Sequence, residues 1–310
     1  MVISSYFKRG VKEIAINKSL YLIALPGILF FIIFSYIPMF GAVIAFKKYS
    51  IAKGILGSDW IGFGNFEFFL SSGHASRITF NTLYLNILFI AFSVAFQVLI
   101  AIFLNEITSK WYRKLTQSMI FLPYFLSWVV VSVMSIGIFA TDKGALNSFL
   151  TQVGLPAVNW YMEPSLWPTL LTIFYVWKWT GYGSVIYLAT IAGFDETLYE
   201  AAVLDGAGKV KQILYITLPL LFPTILVLVL LAIGRIFYGD FGMIYGIIGD
   251  NGMLFKTTDV IDTYVFRALR QQGNFGMAAA VGFYQSIMGF ALVLISNLVV
   301  RKLNPDGALF

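Results

Sequence analysis

The chain has 310 residues, of which 59% are hydrophobic, 17% aromatic and only 12% charged, and its mean hydropathy is +0.83. Soluble domains carry about 25% charged residues, so this composition excludes a water-soluble enzyme and requires a largely lipid surrounding. There is no cysteine and His74 is the single histidine, which excludes disulfides, Fe–S clusters, thiol zinc sites and most Ser-His chemistry, while the net charge of +6 is scattered in short segments between apolar blocks, as in membrane proteins rather than nucleic-acid binders.

Six stretches are long enough to cross about 30 Å of hydrocarbon, which takes roughly 20 mostly apolar residues. The first, Leu20–Phe46, follows a basic leader containing Lys8, Arg9, Lys12 and Lys18. It is too long for a signal-peptide core and is followed by Lys47 and Lys48 instead of a cleavage site, so it reads as a retained span. His74 then reads as a solvated loop residue. The second span, Ile78–Asn105, carries Asn81, Asn86 and Gln97, which read as interhelical hydrogen-bonding groups. The third, Leu115–Thr141, is uncharged and reads as one helix.

The fourth, Ser165–Phe194, is interrupted only by Lys178. In it Tyr175, Trp179 and Tyr182 recur at i, i+4 and i+7, so three rings share one helix face with Lys178 beside them. A lysine at mid-span costs roughly 2.5 to 3.5 kcal/mol and therefore faces a bundle interior or watery cavity. Aromatic faces stack on the C–H surface of a pyranose, so the stripe is a candidate sugar path. Gly181 and Gly183 read as sites of close helix packing or of a local break. The fifth span, Gln212–Gly234, ends at Arg235, with Tyr238 one turn on; both are candidates to line the same cavity, and snorkelling to the interface is the alternative for Arg235. The long segment Ile236–Gly276 reads as an ordered loop, and Gln271–Val300 as the sixth span. Lys and Arg are denser in the segments that face inward when both termini are cytosolic, which sets that orientation.

Between spans four and five, Asp195–Pro219 reads DETLYEAAVLDGAGKVKQILYITLP. Asp195 or Thr197 caps a helix whose first turns hold Glu196 and Glu200, with Tyr199, Ala202 and Val203 on one face. Asp205 and Gly206 stop it, and a second helix restarts near Lys209. The product is a short helix lying across the cytosolic membrane surface.

Glu200-Ala201-Ala202, Gly206, Ile216 and Leu218-Pro219 stand at the spacing of the EAA motif, and this segment resembles that of ABC importer permeases. Gly62–Phe66, Gly144–Asn147, Trp177–Gly181 and Asp259–Arg267 are similar to carbohydrate permeases of the LplB kind, relatives of the maltose-type MalF subunit. The resemblance implies an all-α integral membrane protein with six transmembrane helices in the type I importer (MetI-like) arrangement. Its parts would be a cytosolic segment 1–19, a permease domain 20–300 that includes the coupling segment 195–219, and a cytosolic tail 301–310.

It further implies that Glu200, Ala201, Ala202, Asp205 and Gly206 dock on a cytosolic ATPase, and that Tyr175, Lys178, Trp179, Tyr182, Arg235 and Tyr238 line the sugar path. No Walker pattern is present, because Gly208-Lys209 has Val203 and Val210 where glycine and Ser or Thr belong. ATP and Mg are therefore expected on two separate ATPase subunits, with no cofactor in this chain. The other implied partners are a second six-span permease, an extracytoplasmic solute-binding protein and an oligosaccharide, with a uronate-containing one preferred. The chain departs from many sugar permeases in having Phe194-Asp195 where they have Ile-Pro, and it lacks the extra spans and large outer domain of the maltose subunit.

Two rival readings differ in class. An ion-coupled secondary sugar transporter is also polytopic, but it usually keeps carboxylates inside the membrane, and these six stretches have none. A serine hydrolase would need a base beside Ser184, yet the cluster Gly181–Ser184 lacks the second glycine of the nucleophile elbow and the one histidine lies in a loop.

Overall fold

The computed structural model describes residues 16–303, so most of the two expected cytosolic end segments lies outside the described residues. Helix α1, Lys18–Phe46, is followed by a two-residue hairpin, β1 Lys47–Lys48 paired antiparallel with β2 Asp59–Trp60. Then come α2 Gly64–Ser71, α3 His74–Glu106, α4 Lys110–Phe121, α5 Trp128–Phe139, α6 Ala145–Gln152, α7 Trp167–Ile191 and α8 Glu196–Leu204. Helix α9, Lys209–Ile233, leads to α10 Phe241–Ile248, α11 Phe255–Thr258, α12 Ile261–Arg270 and α13 Phe275–Leu303. The fold is an all-α integral membrane protein of six spans.

Four of these helices, α1, α3, α9 and α13, are long and apolar enough by themselves to cross a membrane. The fourth span, α7, has 25 residues, enough to cover about 37 Å at 1.5 Å per residue. Its hydropathy is lowered by its Trp, Tyr, Thr, Gly and Lys residues, among them the path candidates Tyr175, Lys178, Trp179 and Tyr182.

The third span is not the single helix that its uninterrupted apolar run predicts. The helical segment Lys110–Phe125 and helix α5 meet at 94°. The chemistry of the break is local. Pro123 has no N–H to donate and lies in a 3₁₀ turn over Leu122–Phe125, Leu126 and Ser127 are extended, and the Ser127 hydroxyl caps α5 by accepting from Val130 N–H at 3.3 Å.

Proline also explains two π-turns that the sequence reading did not anticipate. Ile32–Tyr36 in α1 and Ile213–Thr217 in α9 each stand just before a proline, Pro38 and Pro219. A missing donor frees a carbonyl one turn earlier, and a wider turn absorbs it.

The segment after span five is more than an ordered loop, because it folds into α10, α11 and α12. Their apolar residues complete two of the cores. Met243, Ile244, Ile247 and Ile248 of α10 join Leu85 and Phe89 of α3, Val131 of α5 and Leu171 of α7. Ile261 and Ala268 of α12 pack with Ile78 of α3 and Met277, Ala278 and Val281 of α13. Polar ties fix the same helices. Asn81 Nδ2 donates to the Lys256 and Asp259 carbonyls at 3.2 and 3.0 Å, and Ile261 N–H donates to Thr82 Oγ1 at 3.0 Å. Asn81 is thus interhelical, as expected, and so is Gln97, which donates to the Trp179 carbonyl at 3.3 Å, whereas Asn86 turns back on Thr82 of its own helix.

At the start of α3, the Asp259 carboxylate is 1% exposed and lies 2.5 Å from Arg267 and 3.8 Å from Arg77. Thr263 Oγ1 also donates to it at 2.8 Å, and Arg267 lies over the Phe255 ring at 4.1 Å. His74 is exposed, but it opens α3 instead of lying in a loop, and its Nδ1 lies 3.0 Å from Arg77 Nη2.

Candidate functional site

The coupling segment folds as its residues predict. Asp195 Oδ1 accepts from the Thr197 N–H and hydroxyl at 2.9 and 2.8 Å, and these two bonds hold its carboxyl below the usual aspartate range. The cap therefore survives acidification through the ordinary carboxylate pKa and is lost only as the pH falls through this lowered value. At the other end, Gly206 takes φ +78°, Gly206 N–H bonds to the Val203 carbonyl at 3.0 Å and Ala207 N–H to the Ala202 carbonyl at 2.8 Å. That is the Schellman pairing, which a left-handed glycine closes without strain.

Helix α8 is fastened on one side only. Tyr199 Oη lies 3.0 Å from Thr217 Oγ1, tying the middle of α8 to α9, and Lys209 pairs with Glu106 at 2.9 Å, tying the start of α9 to the end of α3. Glu200, Ala201, Val203, Leu204, Asp205 and Gly206 are exposed, Leu204 at 89%.

The aromatic stripe of α7 is present and is continued by rings that the sequence reading missed. Tyr175 stacks on Phe89 with centroids 4.6 Å apart, Trp179 lies 6.1 Å from both Tyr175 and Tyr182, and Tyr182 stacks on Tyr124 at 4.6 Å. Tyr124 comes from the break in span three, and its neighbour Trp128 donates its indole N–H to Asp240 at 2.9 Å. Asp240 also caps α10 through Met243 N–H at 3.2 Å. Trp179 Nε1 is buried near the same carboxylate without meeting hydrogen-bond geometry. The signals for these residues were Pro123 followed by a capping serine, and an Asp three residues before Met243.

The two cations expected beside the stripe are placed differently. Lys178 is only 6% exposed, and its ammonium donates to the carbonyls of Pro123, Tyr124 and Leu126 at the break. Arg235 is exposed and acts electrostatically on the Tyr175 phenol, as Asp240 does. Tyr238 is 43% exposed, and its N–H bonds to the Arg235 carbonyl at 2.8 Å. Tyr182 is 44% exposed.

On a different face of α7 a cavity of about 850 Å³ is walled by Tyr84, Phe92, Phe96, Ile173 and Trp177 among others. Its Thr172 and Thr180 hydroxyls are turned onto their own helix. Such walls offer little to orient a sugar.

Glycine decides how closely span four approaches its neighbours. A Cβ on Gly181 would stand 2.2 Å from the Ile120 carbonyl oxygen, and one on Gly183 would stand 2.1 Å from the Gln97 side chain. The glycines thus serve packing. Ser184 is 1% exposed with its hydroxyl donating to the Gly181 carbonyl at 2.8 Å. Gly181→Ala is expected to destabilise the bundle by about 1–3 kcal/mol, because the atoms it meets are backbone. A lowered melting temperature of the purified protein checks this; an unchanged one would show that the helices separate freely here.

Residues 97–305 match the family described as "Binding-protein-dependent transport system inner membrane component". The chain is 33% identical over 291 residues to protein LplB of Bacillus subtilis (strain 168), covering 94% of this chain and 91% of LplB. It is 34% identical over 300 residues to the polygalacturonan/rhamnogalacturonan transport system permease protein YteP of the same organism, covering 97% of this chain and 93% of YteP. Among solved structures, it is similar to a chain of a bacterial alginate ABC transporter in complex with an alginate pentasaccharide-bound periplasmic protein. There the TM-score is 0.85 at 33% identity, over 94% of this chain and 97% of that one. With the six-span fold and the EAA segment in place, the chain belongs to the binding-protein-dependent transport system inner membrane components, as a multi-pass carbohydrate ABC permease of the LplB kind.

Proposed function

We propose that the chain is one of two membrane-spanning subunits of an ATP-driven importer that moves an acidic, uronate-containing oligosaccharide delivered by an extracytoplasmic binding protein. The observation that carries the reading is the exposed Arg235 within electrostatic reach of Tyr175, which opens the aromatic wall continued by Trp179 and Tyr182. Rings bind the apolar faces of a sugar, and a guanidinium matches a carboxylate bidentately. The relatives named for polygalacturonan, rhamnogalacturonan and alginate support an acidic cargo. The bare face of α8 around Glu200 and Leu204 suits docking on two cytosolic ATPase subunits, which would supply ATP and Mg, and the termini then face the cytosol. Sequence resemblance favours a second, different permease as the other spanning subunit.

Arg235→Gln is expected to lower uptake of an oligogalacturonide by about tenfold or more, the worth of one charge-assisted contact. The same variant should take up the methyl-esterified oligogalacturonide as the parent does. Equal losses for the two sugars would remove the carboxylate from the reading.

A further inference from the structure

Lys178 is surrounded in a way that the cargo reading does not use. A helix that stops inside a bundle leaves its last carbonyls without intrahelical donors, and the 94° break in span three is such an end. Leu126 N–H returns to the Pro123 carbonyl at 3.2 Å. The Lys178 ammonium, reaching across from α7, donates to the carbonyls of Pro123 at 3.4 Å, Tyr124 at 2.9 Å and Leu126. An ammonium has three donors, and here all three are taken. Its charge also opposes the negative end of the α4 dipole. On its other side it lies 5.1 Å from the centre of the Trp128 ring and within electrostatic reach of Asp240, the acceptor of the Trp128 indole.

Of the residues that Lys178 grips, Tyr124 bears one added ring of the wall, and Trp128, two residues past Leu126, bears the other. We propose that Lys178 is a positioning residue of the sugar path. Its ammonium holds the break in span three, and the break presents Tyr124 to Tyr182 and Trp128 to Asp240. Lys178 therefore shapes the wall for any cargo, while Arg235 reads the carboxylate. This division rests on the reading of the aromatic wall as the sugar path.

The test uses the complete transporter with spin labels on cysteines introduced at Lys114 of α4 and Ile136 of α5, both exposed positions in this Cys-free chain. The distance distribution between them reports the break. Lys178→Met is expected to shift or broaden it, and Lys178→Arg, which keeps a multiple donor, to retain the parent distribution. Where the methionine protein does not accumulate, Lys178→Gln is read in the same way. An unchanged distribution in the variant without the charge overturns the proposal.

Uptake supplies the second readout. Lys178→Met should lower uptake of an oligogalacturonide and of its methyl ester by the same factor, about tenfold or more. A loss confined to the acid would overturn the proposal and return the ammonium to cargo. Should Arg235→Gln show no preference between the two sugars while the label distances still respond to Lys178, the acidic-cargo reading fails and the positioning role is supported.

Discussion

Asp259→Asn is expected to destabilise the protein by about 3–5 kcal/mol, the cost of leaving a buried charge without its partner. The carboxylate is 1% exposed and Arg267 12% exposed, and Arg77 closes the cluster from α3. Asparagine keeps the shape but leaves two guanidinium groups facing each other. Arg77 Nε and Arg267 Nη1 already lack partners, so the cluster has no spare acceptor to take over. Thermal unfolding of the purified protein measures the loss. Asp259→Asn combined with Arg267→Gln should cost less than the two single changes added together, because the pair is then removed as a unit. Additive losses would show that Asp259 and Arg267 act independently. The consequence reaches the proposed sugar path, since α11 and α12 follow α10, and Asp240 at the start of α10 holds Trp128.

The second large effect is expected at the coupling turn. Gly206→Pro should leave membrane insertion intact while uptake and cargo-stimulated ATP hydrolysis are lost. Gly206 stands at φ +78°, and proline is held near −65°. Proline also lacks the N–H that Gly206 gives to the Val203 carbonyl at 3.0 Å. The Schellman turn would open, and α8 would no longer meet the start of α9 at its present angle. Glu200→Ala tests the exposed face without touching the turn, and losing one charge-assisted contact there should cost about 1.5–3 kcal/mol of docking. Uptake and ATP hydrolysis in the reconstituted transporter, at matched membrane levels, check both variants. Normal coupling in both would refute the docking role of α8.

Much of this molecule was legible in its sequence because the signals are local. A span is a run of apolar residues set by the thickness of the bilayer, and the six runs are where the spans lie. The start and stop of α8 were readable from Asp195 and Gly206, since a cap and a left-handed turn involve residues only two to five apart. The i, i+4, i+7 stripe of Tyr175, Trp179 and Tyr182 follows from helix geometry alone. Local signals were also missed. Leu115–Thr141 reads as one uncharged helix although Pro123 and the Ser127 cap mark the break, and Ile236–Gly276 reads as an ordered loop although Asp240 caps α10.

Only the tertiary structure decided what the charged side chains face. Lys178 reaches carbonyls 52 to 55 residues away, Asp240 receives an indole 112 residues away, and Asp259 meets Arg77 from across the chain. Periodicity told that a buried lysine needs an enclosed polar partner, not which one. That partner is supplied by backbone exposed where another helix breaks, and the approach of α7 to Ile120 depends on Gly181 having no side chain. The physical reason is the range of the forces. Hydropathy and capping act within a turn or a span, whereas the satisfaction of a buried charge depends on which distant groups the packing of helices brings within 3 Å.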